Sequence, residues 1–519
     1  MRTPRPLLLL LLLLTALTAA APAAHASVPA GWPSDRLVLG ARDEENGAGI
    51  LRDATRLTAR YHYLSGGSNT GAGWSKWTMG GGSFVSSFVN DSVAHGFLPV
   101  FSLYHLRETL PGAGMEEVAG FFANLENRDT MTSYLQDVRL FFQKAGETGQ
   151  TSVLHVEPDL WGYIQRRGGA AETVQVATTG LSELAGLPNT AAGLAQAFVR
   201  LRDTYAPKVL LGYHLSVWGT GEDIALSDPS DERIDELAAA SSAYYKALGA
   251  KFDLIFAEQS DRDAGYREVR DGDGGASFWT PEDFMRQARY LRGVSATTAR
   301  SIVLWQLPVG NASQPNTPKH YKDNRVQTLL GSGGDAVRRA YVNAGVIGML
   351  FGKALPDATC ACDEDGDGQD DDGGLFKTLA NAATAAGLEV LPGGPAKKPA
   401  KPVKTRTSAP VVAVKATVLA PRVGRGGNAR VNVRLTARST AQVVVAIQLY
   451  RPGAGTKPTY QVAFRGQRLR GGIPRTFKLS YAVPGGAQTG RWKVKVGLFD
   501  LNFKKLLVWR PAAAAFYVR

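Results

Sequence analysis

The chain has 519 residues, 44% of them hydrophobic, and only two cysteines. That length exceeds a usual single domain, and so few cysteines exclude a disulfide-stapled miniature fold, so stability must come from a large apolar core. The formal net charge of +13 is unevenly spread, because 25 Lys and Arg stand against one acid, Asp500, from Pro395 to Arg519, leaving the preceding part acidic.

Residues 1–26 read as a secretion signal: Arg2 and Arg5, a leucine run from Leu7 to Leu14, then Ala24-His25-Ala26 as a small-residue cleavage site. The apolar run is too short to span a membrane and no later stretch is apolar enough. The mature protein is therefore expected outside the cytoplasm, extracellular or periplasmic, with no membrane span. Eight apolar runs follow, at Arg36–Ala41, Ala59–Leu64, Phe97–Tyr104, Ser152–Glu157, Val209–Ser216, Phe252–Glu258, Ser301–Leu307 and Val346–Gly352. Amphipathic patterns between them predict helices at Met131–Lys144, Thr190–Tyr205, Asp231–Leu248, Pro281–Arg292 and Asp335–Asn343. Thr280 before Pro281, with Glu282 and Asp283 behind it, is a helix start. Eight strands alternating with helices predict an α/β fold, a (β/α)8 TIM-like barrel over residues 27–392.

Residues 393–410 are rich in Pro and Lys and read as a semi-extended linker. Over 411–519 seven short alternating runs separated by Gly and Pro turns predict an all-β, Ig-like sandwich: Val411–Val418, Ala429–Leu435, Gln442–Tyr450, Thr459–Phe464, Arg475–Tyr481, Arg491–Phe499 and Ala513–Val518. Its charge suits adhesion to an anionic cell-wall or matrix polymer, with a merely solvated basic surface as the alternative. Nucleic acid is disfavoured, since no binding motif accompanies the charge.

Barrel active sites lie at the carboxyl ends of the strands. Glu157 ends the fourth strand and Glu258 the sixth, and cleaving a glycosidic bond requires two such carboxylates. Glu157 is therefore expected as acid/base and Glu258 as its partner. Asp159 shares the strand parity of Glu157 and is expected beside it, raising its pKa, unless it caps the following helix. Aromatic and imidazole side chains near strand ends are expected to bind sugar hydroxyls and ring faces: His62, His105, His155, Trp161, Tyr163, His214, Trp218 and Trp305. The four histidines keep a metal-dependent deacetylase or amidohydrolase open as an alternative, although the His-x-His pair and His-Glu-x-x-His are absent. A non-catalytic glycan-binding or adhesion protein on the same scaffold is the other alternative. No organic cofactor is expected. After the eighth strand, the spacing of Asp363, Asp365, Asp367 and Asp370 suits a structural Ca2+, and Cys360 and Cys362 could close a small disulfide ring.

Two resemblances add to this. Ile447-Gln448-Leu449-Tyr450, Tyr481-Ala482-Val483-Pro484, the run from Thr489 to Phe499, Leu507-Val508-Trp509 and Ala514 to Val518 resemble a β-sandwich module found at the C-terminus of secreted bacterial glycanases. Glu157-Pro158-Asp159 after Val153-Leu154 resembles a segment of a cellulase and cellobiohydrolase family with a barrel-like fold, and Tyr213-His214-Leu215 to Trp218-Gly219 is similar to a following strand there. Together they imply an exported glycoside hydrolase acting on a polysaccharide. The acid-bearing aspartate segment of that family has no counterpart here, so no catalytic role is carried over from it.

Overall fold

The computed structural model describes residues 26–392 and 412–519, except 79, 225, 354, 438–440, 455–457, 471–472 and 501–505. The segment expected to be a secretion signal, but for Ala26, and the expected linker over 393–410 lie outside the described residues. The chain divides into two compact units, Met1–Lys398 and Pro399–Arg519.

In the first unit eight strands pair in parallel and close on themselves: β1 Val38–Arg42, β2 Ala59–Leu64, β3 Leu98–Leu103, β4 Ser152–Val156, β5 Val209–Leu215, β6 Leu254–Ala257, β7 Ser301–Leu307 and β8 Val346–Phe351. Closure is made by β1 against β8, with Val38 opposite Gly348. The strands form where they do because both their faces are covered, lumen on one side and helices on the other, so runs such as Ser301–Leu307 are buried throughout. Helices fill the intervals. The longest, Arg128–Glu147, starts at Asn127, whose side chain accepts from the Thr130 amide, and Pro281–Thr298 starts at a reciprocal Thr280–Asp283 capping box. Among the described residues no helix is long and apolar enough to cross a membrane.

Ring contacts between strands that are not neighbours identify what fills the lumen. Tyr63 of β2 meets Trp305 of β7 at 5.7 Å between ring centroids. His155 of β4 stacks on Phe256 of β6 at 4.2 Å and 7°. Gly212 of β5, between those two strands, lies under that stack, and a Cβ there would run into the Phe256 ring. The aromatic plug thus depends on one missing side chain.

Among its described residues the second unit holds eight strands where seven are predicted, because Arg422–Val423 (β10) is too short to leave a pattern. With β9 Val412–Val418, β11 Asn428–Ala437, β12 Ala441–Tyr450, β13 Tyr460–Leu469, β14 Arg475–Ala482, β15 Gly490–Phe499 and β16 Leu506–Val518, it forms two sheets, β10-β16-β15-β12-β13 and β14-β11-β9. Val431, Val433 and Leu435 of one sheet share a core with Ile447, Val494 and Trp492 of the other, which makes the unit a sandwich.

Gly212→Ala is expected to destabilise the barrel by about 1–3 kcal/mol, because the stacked Phe256 has nowhere to move; urea unfolding of the variant against the parent measures it.

Candidate active site

The turn after β4 decides which carboxylates reach the mouth of the barrel. Glu157 and Asp159 both adopt positive φ, 43° and 68°, a costly conformation for a non-glycine residue that breaks the strand alternation at Val156. By alternation Glu157 would follow His155 into the lumen. Instead its carboxylate turns into the barrel wall, where it accepts from the Tyr134 hydroxyl at 2.7 Å and from the amides of His105 (3.3 Å) and Leu106 (3.2 Å). It has no exposed surface, and burial, opposed by those donors, pushes it up to about 8. The expected acid/base is thus enclosed, away from the cleft.

Asp159 goes the other way. With Glu117, Tyr163, Trp218, Asp223, Glu258 and Trp279 it lines a cleft of about 230 Å³ at the carboxyl ends of β4, β5 and β6. Asp159, His214 and Glu258 each bring a ligand atom to within 4.8 Å of the others. Burial, then repulsion from Glu117, pushes Asp159 up to about 7. Burial, then repulsion from Asp159 and Asp223, pushes Glu258 up to about 8, although Arg267 and Arg262 pull against it. Arg267 itself is held by Asp261 at 2.5 Å. The site is a recessed pair of carboxyl groups, each pushed above the usual carboxylate range by burial and by its acidic neighbours.

Beneath the pair runs a buried polar chain. Ser102 Oγ lies 3.2 Å from His155 Nδ1, and His155 Nε2 lies 3.0 Å from His214 Nδ1. Burial drives His214 down to about 3 and His155 far below its usual value, so both rings are neutral and carry one proton each. His214 Nε2 is buried without a hydrogen-bond partner, on the residue that meets the two carboxylates. Tyr63 donates to Gln306, which takes positive φ (56°) at an irregular stretch of β7.

Of the expected sugar-binding residues, Tyr163 and Trp218 line the cleft, their rings 4.8 Å apart, and His214 joins the carboxylate pair. His155 and Trp305 belong to the lumen plug below. The other three are packed elsewhere. His62 bonds the Asp43 carbonyl at 2.7 Å and packs on Phe84, His105 pairs with Asp137 at 3.0 Å, and Trp161 donates to the Val156 carbonyl among Tyr213 and Phe252. Glu117 and Asp223, which sit outside the strands, carried no pattern in the sequence. Cys360 and Cys362 are joined in a disulfide and are thereby removed as metal ligands.

No protein-family profile and no curated protein sequence matches the chain. Among solved structures, the chain is similar to a protein from Burkholderia cenocepacia J2315 assigned as a phosphonomutase, at 13% identity and a TM-score of 0.28, over 61% of this chain and 88% of that one. It is similar also to a β-glucosidase from Listeria innocua, at 10% identity and a TM-score of 0.16, over 61% of this chain but only 41% of the glucosidase. The C-terminal domain of wzt matches at 13% identity and a TM-score of 0.18, over 21% of this chain and 73% of that domain. Likenesses this distant carry no activity from those proteins to this one.

Four buried acids hold protons longer than they would in the unfolded chain: Glu157, Glu258, Asp159 and Asp263, the last pushed up to about 7 by burial and by Asp323. Unfolded, they release these protons near their ordinary values of 3.8 and 4.5. Between there and the native values these four acids bind more protons in the native state, so their contribution to stability is greatest in acid and is lost as pH rises toward about 8. Below about 6.5 that contribution is opposed by His155 and His214, which burial keeps neutral. Chemical denaturation of the barrel at about pH 5 and about pH 8 should give the lower unfolding free energy at the higher pH.

Proposed function

We propose that the protein is an exported glycoside hydrolase whose reacting carboxylates are Asp159 and Glu258. The observation that carries this is the approach of these two acids to within 4.8 Å at the mouth of the barrel, with Tyr163 and Trp218 beside them. One acid must protonate the leaving oxygen while the other stays ionised, and two carboxylates sharing one proton provide both forms at once. Spacing this short leaves little room for a water between them and favours a retaining course through a glycosyl-enzyme ester. His214, neutral and linked through His155 to Ser102, can either donate to the pair or accept from it, according to which tautomer the chain holds. The aromatic rings supply the apolar faces on which a sugar packs.

Asp159→Asn and Glu258→Gln should each lower kcat on a cleaved polysaccharide by about 10²–10⁴-fold, whereas Glu157→Gln, whose amide oxygen can still accept from Tyr134, His105 and Leu106 and so keep the turn, should lower the melting temperature and leave kcat within a few-fold of the parent. Activity in the singly protonated state predicts a bell-shaped kcat/KM profile peaking between the two apparent values of the pair, in the range of about 7 to about 8. A screen of polysaccharides with product analysis checks both. An absence of turnover on every polymer, with binding retained, would instead mark a glycan-binding protein.

A second reading rests on the orphaned His214 Nε2. One imidazole and two carboxylates within 4.8 Å also match a divalent metal site, which would make the reaction a metal-assisted hydrolysis such as deacetylation. Turnover lost on chelation and restored by Zn2+ favours that reading, and turnover indifferent to chelators favours the carboxylate pair.

The sandwich serves in this proposal as an anchor on anionic polymer. Lys415 and Arg434 stand directly opposite each other on β9 and β11, with Arg430 and Lys478 exposed on the same three-stranded sheet. Like charges facing across strands repel, and a polyanion laid on the sheet relieves that repulsion. Binding of the protein to immobilised teichoic acid should weaken steeply between about 0.05 and about 0.5 M salt as screening sets in, and Lys415→Glu with Arg434→Glu should weaken it at low salt.

A further inference from the structure

We propose that the loop after β8 is a Ca2+ site held by Asp363, Asp365 and Asp371. These three residues each present a carboxylate oxygen within 4.8 Å of the others. Three converging anions repel; His320 Nε2, 2.9 Å from Asp365, offsets part of that repulsion, and hard oxygen donors of this kind suit Ca2+. Asp363 and Asp365 are exposed, and on their own would be an ordinary acidic surface.

Asp371 changes that. The residue is 1% exposed, and its Oδ2 is buried with no hydrogen-bond partner, while Oδ1 accepts from the Glu364 amide at 2.9 Å. A buried carboxylate oxygen left bare is unfavourable, so a cation at that atom satisfies a group that the protein does not. Asp371 is also held firmly. Its amide donates to the Cys362 carbonyl at 2.8 Å, and the Asp372 amide donates to the Cys360 carbonyl at 3.1 Å, across the disulfide turn.

The ligand set differs from the one the sequence predicts. Asp370, paired with Lys377 at 2.8 Å, and Asp367, which accepts from the Gln369 amide at 2.8 Å, both fall outside the cluster of converging carboxylates. Counted from Asp363, Asp365 falls at the third position of an EF-hand-type loop, Gly368 at the sixth with φ +92°, and Asp371 at the ninth. The twelfth position, where that loop has a bidentate glutamate, is Gly374. A site with those ligands and without the closing glutamate belongs with the weak, extracellular class of Ca2+ sites, with dissociation constants of about 10⁻⁴–10⁻³ M. Exported proteins meet Ca2+ at such concentrations. The cation would fix the β8 loop to the barrel and take no part in the reaction at Asp159 and Glu258.

Calorimetric titration of the EDTA-stripped full-length protein with CaCl2 tests this. The expected result is one binding event in the millimolar range or tighter, weakened about tenfold or more by Asp371→Asn and by Asp365→Asn, and unchanged in Asp159→Asn. Asp365 is exposed, so its variant reports on the site even where Asp371→Asn fails to fold. Absence of binding heat and of any rise in melting temperature with millimolar Ca2+ overturns the proposal. So does an isotherm that survives in Asp365→Asn or is lost in Asp159→Asn, which would move the ion to the carboxylate pair in the barrel mouth.

Discussion

The hydrogen bonds that hold the Glu157 carboxylate against Tyr134 and the amides of His105 and Leu106 fix the backbone of the turn in which Asp159 sits. Positive φ at both residues is unfavourable, and an enclosed carboxylate with three donors around it is a strong reason for the chain to accept it. Once Glu157 is committed to the wall, Asp159 has only the cleft left to face. One acid is spent as an anchor so that the next can be aimed across β5 toward Glu258.

What surrounds the pair determines its chemistry as much as the pair does. Burial and mutual repulsion keep protons on acids that would lose them in water, and Arg267, a guanidinium that lines the cleft, is already engaged by Asp261. Below, the imidazoles of His155 and His214 are too poorly solvated to become cations, so the floor is polar without being charged. A neutral hydrogen-bonding floor under two acids neither neutralises them nor forces them apart.

The barrel was legible in the sequence because its strands are covered on both faces and read as unbroken apolar runs; β2 and β7 match their predicted bounds at both ends. The sandwich was legible through alternation, which β11 shows residue by residue in its burial. The site was only half legible. Glu258, Tyr163, Trp218 and His214 follow from where strands end, but the roles of Glu157 and Asp159 turn on a backbone kink that period-two counting has no means of representing. His62 and His105 sit near strand ends too, yet pack against Phe84 and Asp137, because proximity to a rim in sequence says nothing of the direction a side chain takes. In the β8 loop the regular spacing drew attention to Asp367 and Asp370, while burial singles out Asp371.

Phe256 stacked on His155, with Trp305 edge-on to that imidazole and Gly212 making room, fills the lumen and leaves the barrel closed at its middle. Nothing the size of a sugar ring can pass from one end of the cylinder to the other. Any ligand that reaches Asp159 and Glu258 must therefore come in over the carboxyl ends of the strands and leave by the same door.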